Sequence, residues 1–579
     1  MQTCTKLRAS FSPLYIILIV MAIVCASCHN KPKEVANIKT ATTKEAKPKN
    51  LNKISSYAEA TQKLSTTEKI GQLFMPAAYI NDTEEEIVKL EQLIKEQNIG
   101  ALCFFKSRIS AAANYDAKNK NDTLSLSKLK SLIKRYQKAA KYPLLIAIDA
   151  EWGLAMRVDN TPQYPYAITL GAMQNKDSLI YEVGKNIAKD CKEAGIHWNL
   201  APVVDINNNP NNPVIGYRSY GENKELVTKN AIAFVNGMQN QGIISCLKHF
   251  PGHGDTATDS HIGLPVINKS KEALLANELY PFQQLINNGV ESVMIGHLAV
   301  PALTEEKNTP TTLSKKTIKG LLRGEMNFNN VVISDALNMK SVSKLYPVKG
   351  ELEWIAFDAG NDVLCFAENP KEGIATILKN ATKQQIEESF KRVWQLKEKA
   401  MNIVISPSKS YYTAKSLNTK LATESLTVVK GNNNTISNFK SDGFVGIEIT
   451  NNKENPFFYT VKEELKFTSY NTTKTTISKI KEAVKTEENV VIALYPPSIK
   501  PKNNFGISNN ELELLTNLMT TKNVILYVFG NPYVLTKLDT SNAKNVIVAY
   551  QNFPVFQENA AEHFLNKVDA KGKLSVSIN

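Results

Sequence analysis

Between residues 55 and 405 the chain alternates eight short apolar runs with amphipathic stretches, and this pattern constrains the fold more than any other feature. The runs are residues 72–77, 101–105, 144–149, 197–205, 245–249, 292–297, 331–335 and 362–366. Each has strand length, and the spacers are long enough for helices. Eight strand–helix units match a (β/α)8 TIM-like barrel in number and size; an open doubly wound sheet is the alternative. Polar residues recur where the runs end, at Asp149, Lys248-His249, His297 and Asp335. That favours the barrel, whose chemistry sits on the carboxyl rim of its strands.

From residue 406 to 579 a second pattern begins, with strand-like runs at 444–450, 490–495, 524–529 and 546–550. Ser508 and Glu511 have capping-box spacing at the head of a helix between two of them. A smaller α/β/α sandwich domain with parallel strands is expected there.

The N-terminus reads as an export signal. Lys6 and Arg8 precede an apolar run over residues 14–28, shorter than the ~20 residues of a spanning helix. The run ends Cys25-Ala26-Ser27-Cys28, small residues before a cysteine, similar to a bacterial lipobox with Cys28 as the lipidated residue. It departs from that pattern at Cys25, where a leucine is usual. Residues 1–28 are thus expected to be a lipoprotein signal peptide, and residues 29–54, rich in Lys, Pro, Thr, Ala and Asn, a flexible tether. This address is a bacterial cell envelope, lipid-anchored, at a periplasmic or outer-membrane face.

The net charge of +14 does not mark a nucleic-acid partner. Residues 1–53 hold nine Lys/Arg against two Glu, a net of +7, so half the excess lies in the tail. The rest is spread over the body without a basic-aromatic stripe. Of seven cysteines, Cys4 and Cys25 leave with the signal and Cys28 would carry lipid. Cys103, Cys191, Cys246 and Cys365 remain, with no CxxC spacing, and buried small apolar residues are the expected role.

Five of the seven histidines (197, 249, 253, 261 and 297) fall within about a hundred residues. Their centre is the loop from Lys248 through His249-Phe250-Pro251-Gly252-His253-Gly254-Asp255 to Asp259-Ser260-His261, after the fifth run. Three readings compete. The side chains could ligate a metal, although the spacing matches no HExxH or zinc-ribbon pattern. They could be satisfied structural groups. Or Asp259 could orient His261, two residues on, for proton transfer near neutral pH. Asp335 ends an apolar strand, as a helix N-cap or as a carboxylate nucleophile for an anomeric carbon. Asp149, Arg157 and Arg218 suit either sugar-hydroxyl binding or salt bridges below the rim. Trp152 could stack on a sugar or cover the barrel.

The run from Lys248 to His261 resembles the signature of glycoside hydrolase family 3, in its β-N-acetylglucosaminidase branch. Ala201-Pro202-Val203-Val204-Asp205, Asn212-Pro213-Val214-Ile215-Gly216 and Ile333-Ser334-Asp335 are similar to it as well. The resemblance covers residues 58–400 strongly and the second domain more weakly, through Val528-Phe529-Gly530-Asn531-Pro532-Tyr533 and Gly572-Lys573-Leu574-Ser575-Val576. It implies a retaining, two-step mechanism with Asp335 as nucleophile, His261 as acid/base and Asp259 as its partner. It also implies sugar binding by Asp149, Arg157, Arg218, Lys248 and His249, no cofactor and no metal. The substrate would be a terminal β-linked N-acetylglucosamine of peptidoglycan fragments or chitooligosaccharides.

Family members often read Glu-Gly-Gly-Arg where this chain has Glu151-Trp152-Gly153-Leu154, so one arginine is absent and Arg157 is retained. The β-glucosidase branch takes its acid/base from a second-domain Glu, which the Asp259–His261 unit argues against. Alternatives remain: a β-glucosidase or β-xylosidase, a non-catalytic glycan-binding envelope lipoprotein, and phosphate in place of water in the second step.

Overall fold

The computed structural model describes residues 54–108, 122–257, 263–402 and 412–578. The signal reading, the tether reading up to residue 53, Cys28, Asp259 and His261 lie outside these residues, while Ile54, the last tether residue, is buried beside Phe390 and Trp394.

Seven parallel strands form one sheet in chain order: β2 (Ala77–Tyr79), β3 (Ala101–Phe105), β4 (Leu145–Ile148), β5 (Trp198–Asn199), β6 (Ile244–Phe250), β7 (Ser292–Ile295) and β8 (Val331–Ser334). A further pair, β1 (Phe74–Met75) and β9 (Leu364–Cys365), closes the ring. β9 reaches β8 through the Ile333–Val363 bridge. β1 and β2 are halves of one strand interrupted at Pro76, whose carbonyl accepts from Cys103 N at 3.1 Å. Pro76 has no N–H to offer a ladder, so regular pairing breaks there. The result is an eight-position parallel barrel wrapped by helices, as the alternation requires.

The strands read as continuous apolar runs because the barrel buries both faces; β3, β4, β7 and β8 are buried at every residue. The helices carry local signals of their own. Thr83 and Glu86 form a capping box at the head of Glu84–Gln97, and Asn98 ends that helix in the left-handed conformation. Asp177–Ala194 ends at Gly195 with φ 86°. Inside the barrel Trp198 is fully buried, and its indole N–H donates to Ser292 Oγ at 3.0 Å, satisfying the one polar atom of that large side chain. Cys103, Cys191, Cys246 and Cys365 are free and buried.

The second sheet has six strands: β10 (Thr427–Lys430), β11 (Val445–Ile449), β12 (Thr468–Asn471), β13 (Asn489–Leu494), β14 (Asn523–Val528) and β15 (Asn545–Val548). Their order is β10-β15-β14-β13-β11-β12. Five strands are parallel, but β10 runs antiparallel to β15, correcting the expectation of a purely parallel sheet. An antiparallel edge strand on a parallel sheet needs no crossover helix. The Ser508–Glu511 capping box is present at the head of Asn509–Thr521. Apolar clusters lie on both faces of this sheet.

Residues 52–579 form one compact unit, and the two sheets are tied together in three ways. Trp152, Met156, Ile168, Ala172 and Tyr217 of the barrel join the sandwich core. Leu417, Leu421 and Ala422 of helix Ala414–Ser425 join the barrel core. The C-terminal segment returns to the barrel, where Lys573 N donates to Ala172 O at 2.9 Å and Glu222 N to Ser575 O at 3.1 Å.

Candidate active site

The carboxyl ends of the barrel strands surround a cavity that opens to solvent. Asp149, Arg218, Lys248, His249 and Asp335 all line it.

Asp335 directly follows β8. Its N–H donates to Ile295 O at 2.9 Å, extending the ladder with β7 by one bond. The side chain therefore emerges at the barrel mouth, half-buried. Its Oδ1 accepts from Ala336 N at 2.8 Å. His297 braces the next turn, with Nδ1 2.7 Å from Thr312 Oγ1 and Nε2 3.0 Å from Ala336 O.

Opposite stands a paired cluster of charges. Lys248 Nζ bridges Asp149 Oδ1 at 2.7 Å and Glu151 Oε1 at 2.8 Å. Arg218 grips Glu151 through two bonds, Nε–Oε2 at 2.9 Å and Nη2–Oε1 at 2.7 Å. Arg157 Nη2 holds Asp149 Oδ2 at 2.7 Å. Burial opposes the ionisation of Asp149, but Lys248 and Arg157 overcome it and hold the carboxyl well below the usual carboxylate range. Burial opposes Glu151 likewise, and Arg218 and Lys248 bring it down to about 2. Both carboxylates are therefore charged at neutral pH, with their cations beside them. Arg157 stands behind Asp149 and stacks on the Phe105 ring at 4.7 Å. It supports Asp149 rather than lining the cavity.

Asp205 is a positioning residue, present in its motif but not marked by any local spacing. It is fully buried just beyond β5. Its carboxylate accepts from His249 N at 3.1 Å and His253 N at 2.7 Å, and sits 2.8 Å from His249 Nδ1. That fixes the His249 ring with Nε2 turned toward Arg218 Nη2, 3.4 Å away. Burial resists the charge on Asp205, and the two histidines lower its pKa in spite of that. His253 is buried, with its pKa pushed down to about 4, and its Nδ1 lies 2.7 Å from Thr256 Oγ1. It is uncharged at neutral pH.

The glycines of this loop have definite reasons. Gly252 has φ 125°, and a Cβ on Gly254 would lie 1.6 Å from Ile206 O. The loop thus packs against the chain beyond β5 at backbone distance, which only glycine permits. The same stretch holds the cis bonds Lys248–His249 and Phe250–Pro251. Among the described residues no group of three His, Cys, Asp or Glu is placed to hold a metal ion.

A carboxylate at the mouth of a barrel cavity, facing fixed charged donors, can bind hydroxyl groups and attack an electrophilic carbon. Sequence comparison specifies the family. Residues 65–396 match the glycosyl hydrolase family 3 N-terminal domain, and the chain belongs to that family. Beta-hexosaminidase A of Pseudoalteromonas piscicida is 34% identical over 292 residues, 48% of this chain and 47% of that protein. The chain thus spans about half the length of that relative. The beta-hexosaminidase of Tolumonas auensis is 35% identical over 257 residues, 44% of this chain and 74% of that one. Among solved structures, a glycoside hydrolase family 3 beta-N-acetylglucosaminidase from Paenibacillus sp. str. FPU-7 superposes with a TM-score of 0.71 at 27% identity. That match covers 89% of this chain and 99% of the other.

Proposed function

We propose that this protein is a retaining, exo-acting β-N-acetylglucosaminidase that removes terminal β-linked N-acetylglucosamine. The observation that carries the reading is Asp335, half-buried at the end of β8 in a cavity it shares with Asp149, Lys248, Arg218 and His249. In the first step Asp335 attacks the anomeric carbon while His261 gives its proton to the departing glycosidic oxygen. The C–O bond to the aglycone breaks and an ester to Asp335 forms. In the second step His261 takes a proton from water, the water oxygen attacks the anomeric carbon, and the ester breaks. Asp259 orients His261 and stabilises its charged form. Asp149, Lys248, Arg218 and His249 hold the sugar hydroxyls, and Arg157 fixes Asp149. The names of the relatives support the acetamido sugar. Peptidoglycan fragments or chitooligosaccharides are its sources, reached by a chain anchored in a bacterial envelope through lipid on Cys28.

The test compares hydrolysis of an aryl β-N-acetylglucosaminide with that of an aryl β-glucoside. Strong preference for the acetamido sugar, abolished in Asp335→Ala and reduced about 10²–10⁴-fold in His261→Ala, is the expected result. Turnover of the glucoside alone would move the protein to the β-glucosidase reading. Phosphate-dependent turnover would replace hydrolysis by phosphorolysis. For the anchor, Cys28→Ala should shift the protein from the membrane to the soluble fraction.

A further inference from the structure

A second concavity, of about 300 Å³, lies between the barrel and the sandwich. One side is built by the segments that leave β13, β14 and β15: residues 496–499, 529–530 and 550–552. The cleft thus covers the carboxyl ends of three parallel strands, the end of an open α/β sheet at which ligands gather. The other side is the barrel segment that follows Glu151, carrying Trp152, Met156, Gln163 and Tyr166.

The lining contains no charged side chain, although 21% of the chain is charged. It offers amides from Gln163, Gln551 and Asn552 and a hydroxyl from Ser498, beside the rings of Tyr166 and Tyr550. Two of these groups are held in place before any ligand arrives. Gln551 Nε2 donates to Thr169 Oγ1 at 2.7 Å. The half-buried Tyr166 ring is wedged edge-on against Trp152 at 4.9 Å and Tyr217 at 4.8 Å. An ionic ligand would leave its charge unpaired here, and an apolar one would leave the amides unpaired. A neutral ligand with many hydroxyls fits both the amides and the aromatic faces, in a site whose order is largely set in advance.

We propose that this interdomain cleft is a second carbohydrate-binding site, separate from the Asp335 cavity, that takes a neutral oligosaccharide. The loop after β4 is the shared wall. It presents Asp149 and Glu151 to the charged cluster, and Trp152 and Met156 to the cleft. The inference rests on the glycosidase reading only in the choice of oligosaccharide.

The test is calorimetric titration of the full chain in detergent, carrying Asp335→Ala to prevent turnover, with chitotetraose. Two equivalents should bind, falling to one when Asn552→Trp is added to fill the cleft. Ser498→Trp serves as an independent second block. With Asp335 intact, both blocked variants should keep aryl β-N-acetylglucosaminide turnover within about twofold of the parent, which also shows that they fold. A single equivalent in the unblocked protein would overturn the inference, as would two equivalents in both blocked variants. If the aryl substrate is turned over normally, such a result removes the second site and leaves the proposed activity standing. Failure of the aryl assay removes that activity instead.

Discussion

Both ends of the barrel bury charge, and they use it differently. At the carboxyl end Lys248 bridges Asp149 and Glu151 beside an open cavity that reaches Asp335. At the amino end Asp362 is enclosed. Its Oδ1 accepts from Ser389 Oγ at 2.8 Å and Arg392 Nε at 2.9 Å, and its Oδ2 from Arg323 Nη2 at 2.6 Å and Val332 N at 2.9 Å. Burial works against that carboxylate, and Arg323 and Arg392 lower its pKa nonetheless. A saturated carboxylate of this kind stabilises the base and has no capacity left for a substrate. Buried ion pairs alone therefore do not mark a site; a carboxylate beside them that opens onto a cavity does.

This contrast can be broken most sharply at the two aspartates. Asp335→Ala should cost at least ~10³-fold in kcat with little change in Tm, because it removes a reacting group. Asp362→Ala should do the reverse. Leaving the half-buried Arg323 and Arg392 without their carboxylate should cost about 3 kcal/mol in urea unfolding, while the remaining folded protein keeps its specific activity. Loss of activity in well-folded Asp362→Ala would erase the distinction.

Acid sharpens the comparison at the rim. Glu151 titrates at about 2 in the folded protein, below its unfolded value near 4.3. Its contribution to stability is present above the unfolded value and is lost as pH falls through the folded one. Glu151→Gln should remove roughly 2 kcal/mol of the stability lost between pH 5 and pH 2, read from urea midpoints.

At the base, Lys397 is fully buried, with Nζ 2.6 Å from Gln72 Oε1, and burial pushes its pKa down to about 7. Between that value and the unfolded one near 10.4 the unfolded chain binds more protons, so stability rises with pH there. Lys397→Met should flatten that rise and stabilise the protein by at least ~1 kcal/mol at pH 6. A less stable Lys397→Met protein at pH 6 would show that the lysine charge is compensated.

The barrel strands were legible because short apolar runs alternate with helical stretches, and five of the eight runs end in a polar residue that marks the rim. The fourth run, 197–205, pairs regularly only over Trp198–Asn199. Pro202 interrupts the ladder, and the chain rejoins β6 through the Val203–Lys248 bridge. β12 was missed because Thr468, Ser469, Tyr470 and Asn471 lack an apolar run, as an edge strand allows. β10 was missed because its Val428 and Val429 make too short a signal. Asp149, Lys248, His249, Arg218 and Asp335 were legible at strand or motif ends, and they converge. Glu151 and Asp205 were not, because their partners are distant in sequence. Glu151 meets Arg218 across 67 residues, and Asp205 meets His249 across 44. Local spacing carries no record of such pairings, although Glu151 lies two residues from Asp149 in an already marked motif. Trp152 could be read either as a sugar platform or as cover; its packing among sandwich side chains places it away from the Asp335 cavity and at the wall of the interdomain cleft.

In the proposed mechanism Asp335 carries the sugar between the two steps. The most direct measurement is intact-mass and peptide mapping after brief exposure to 5-fluoro-N-acetyl-β-glucosaminyl fluoride, which slows release of a glycosyl-enzyme. The account predicts one added sugar, on the peptide containing Asp335, and no adduct in Asp335→Ala. Turnover of the reagent with no adduct, or an adduct on another residue, would contradict it.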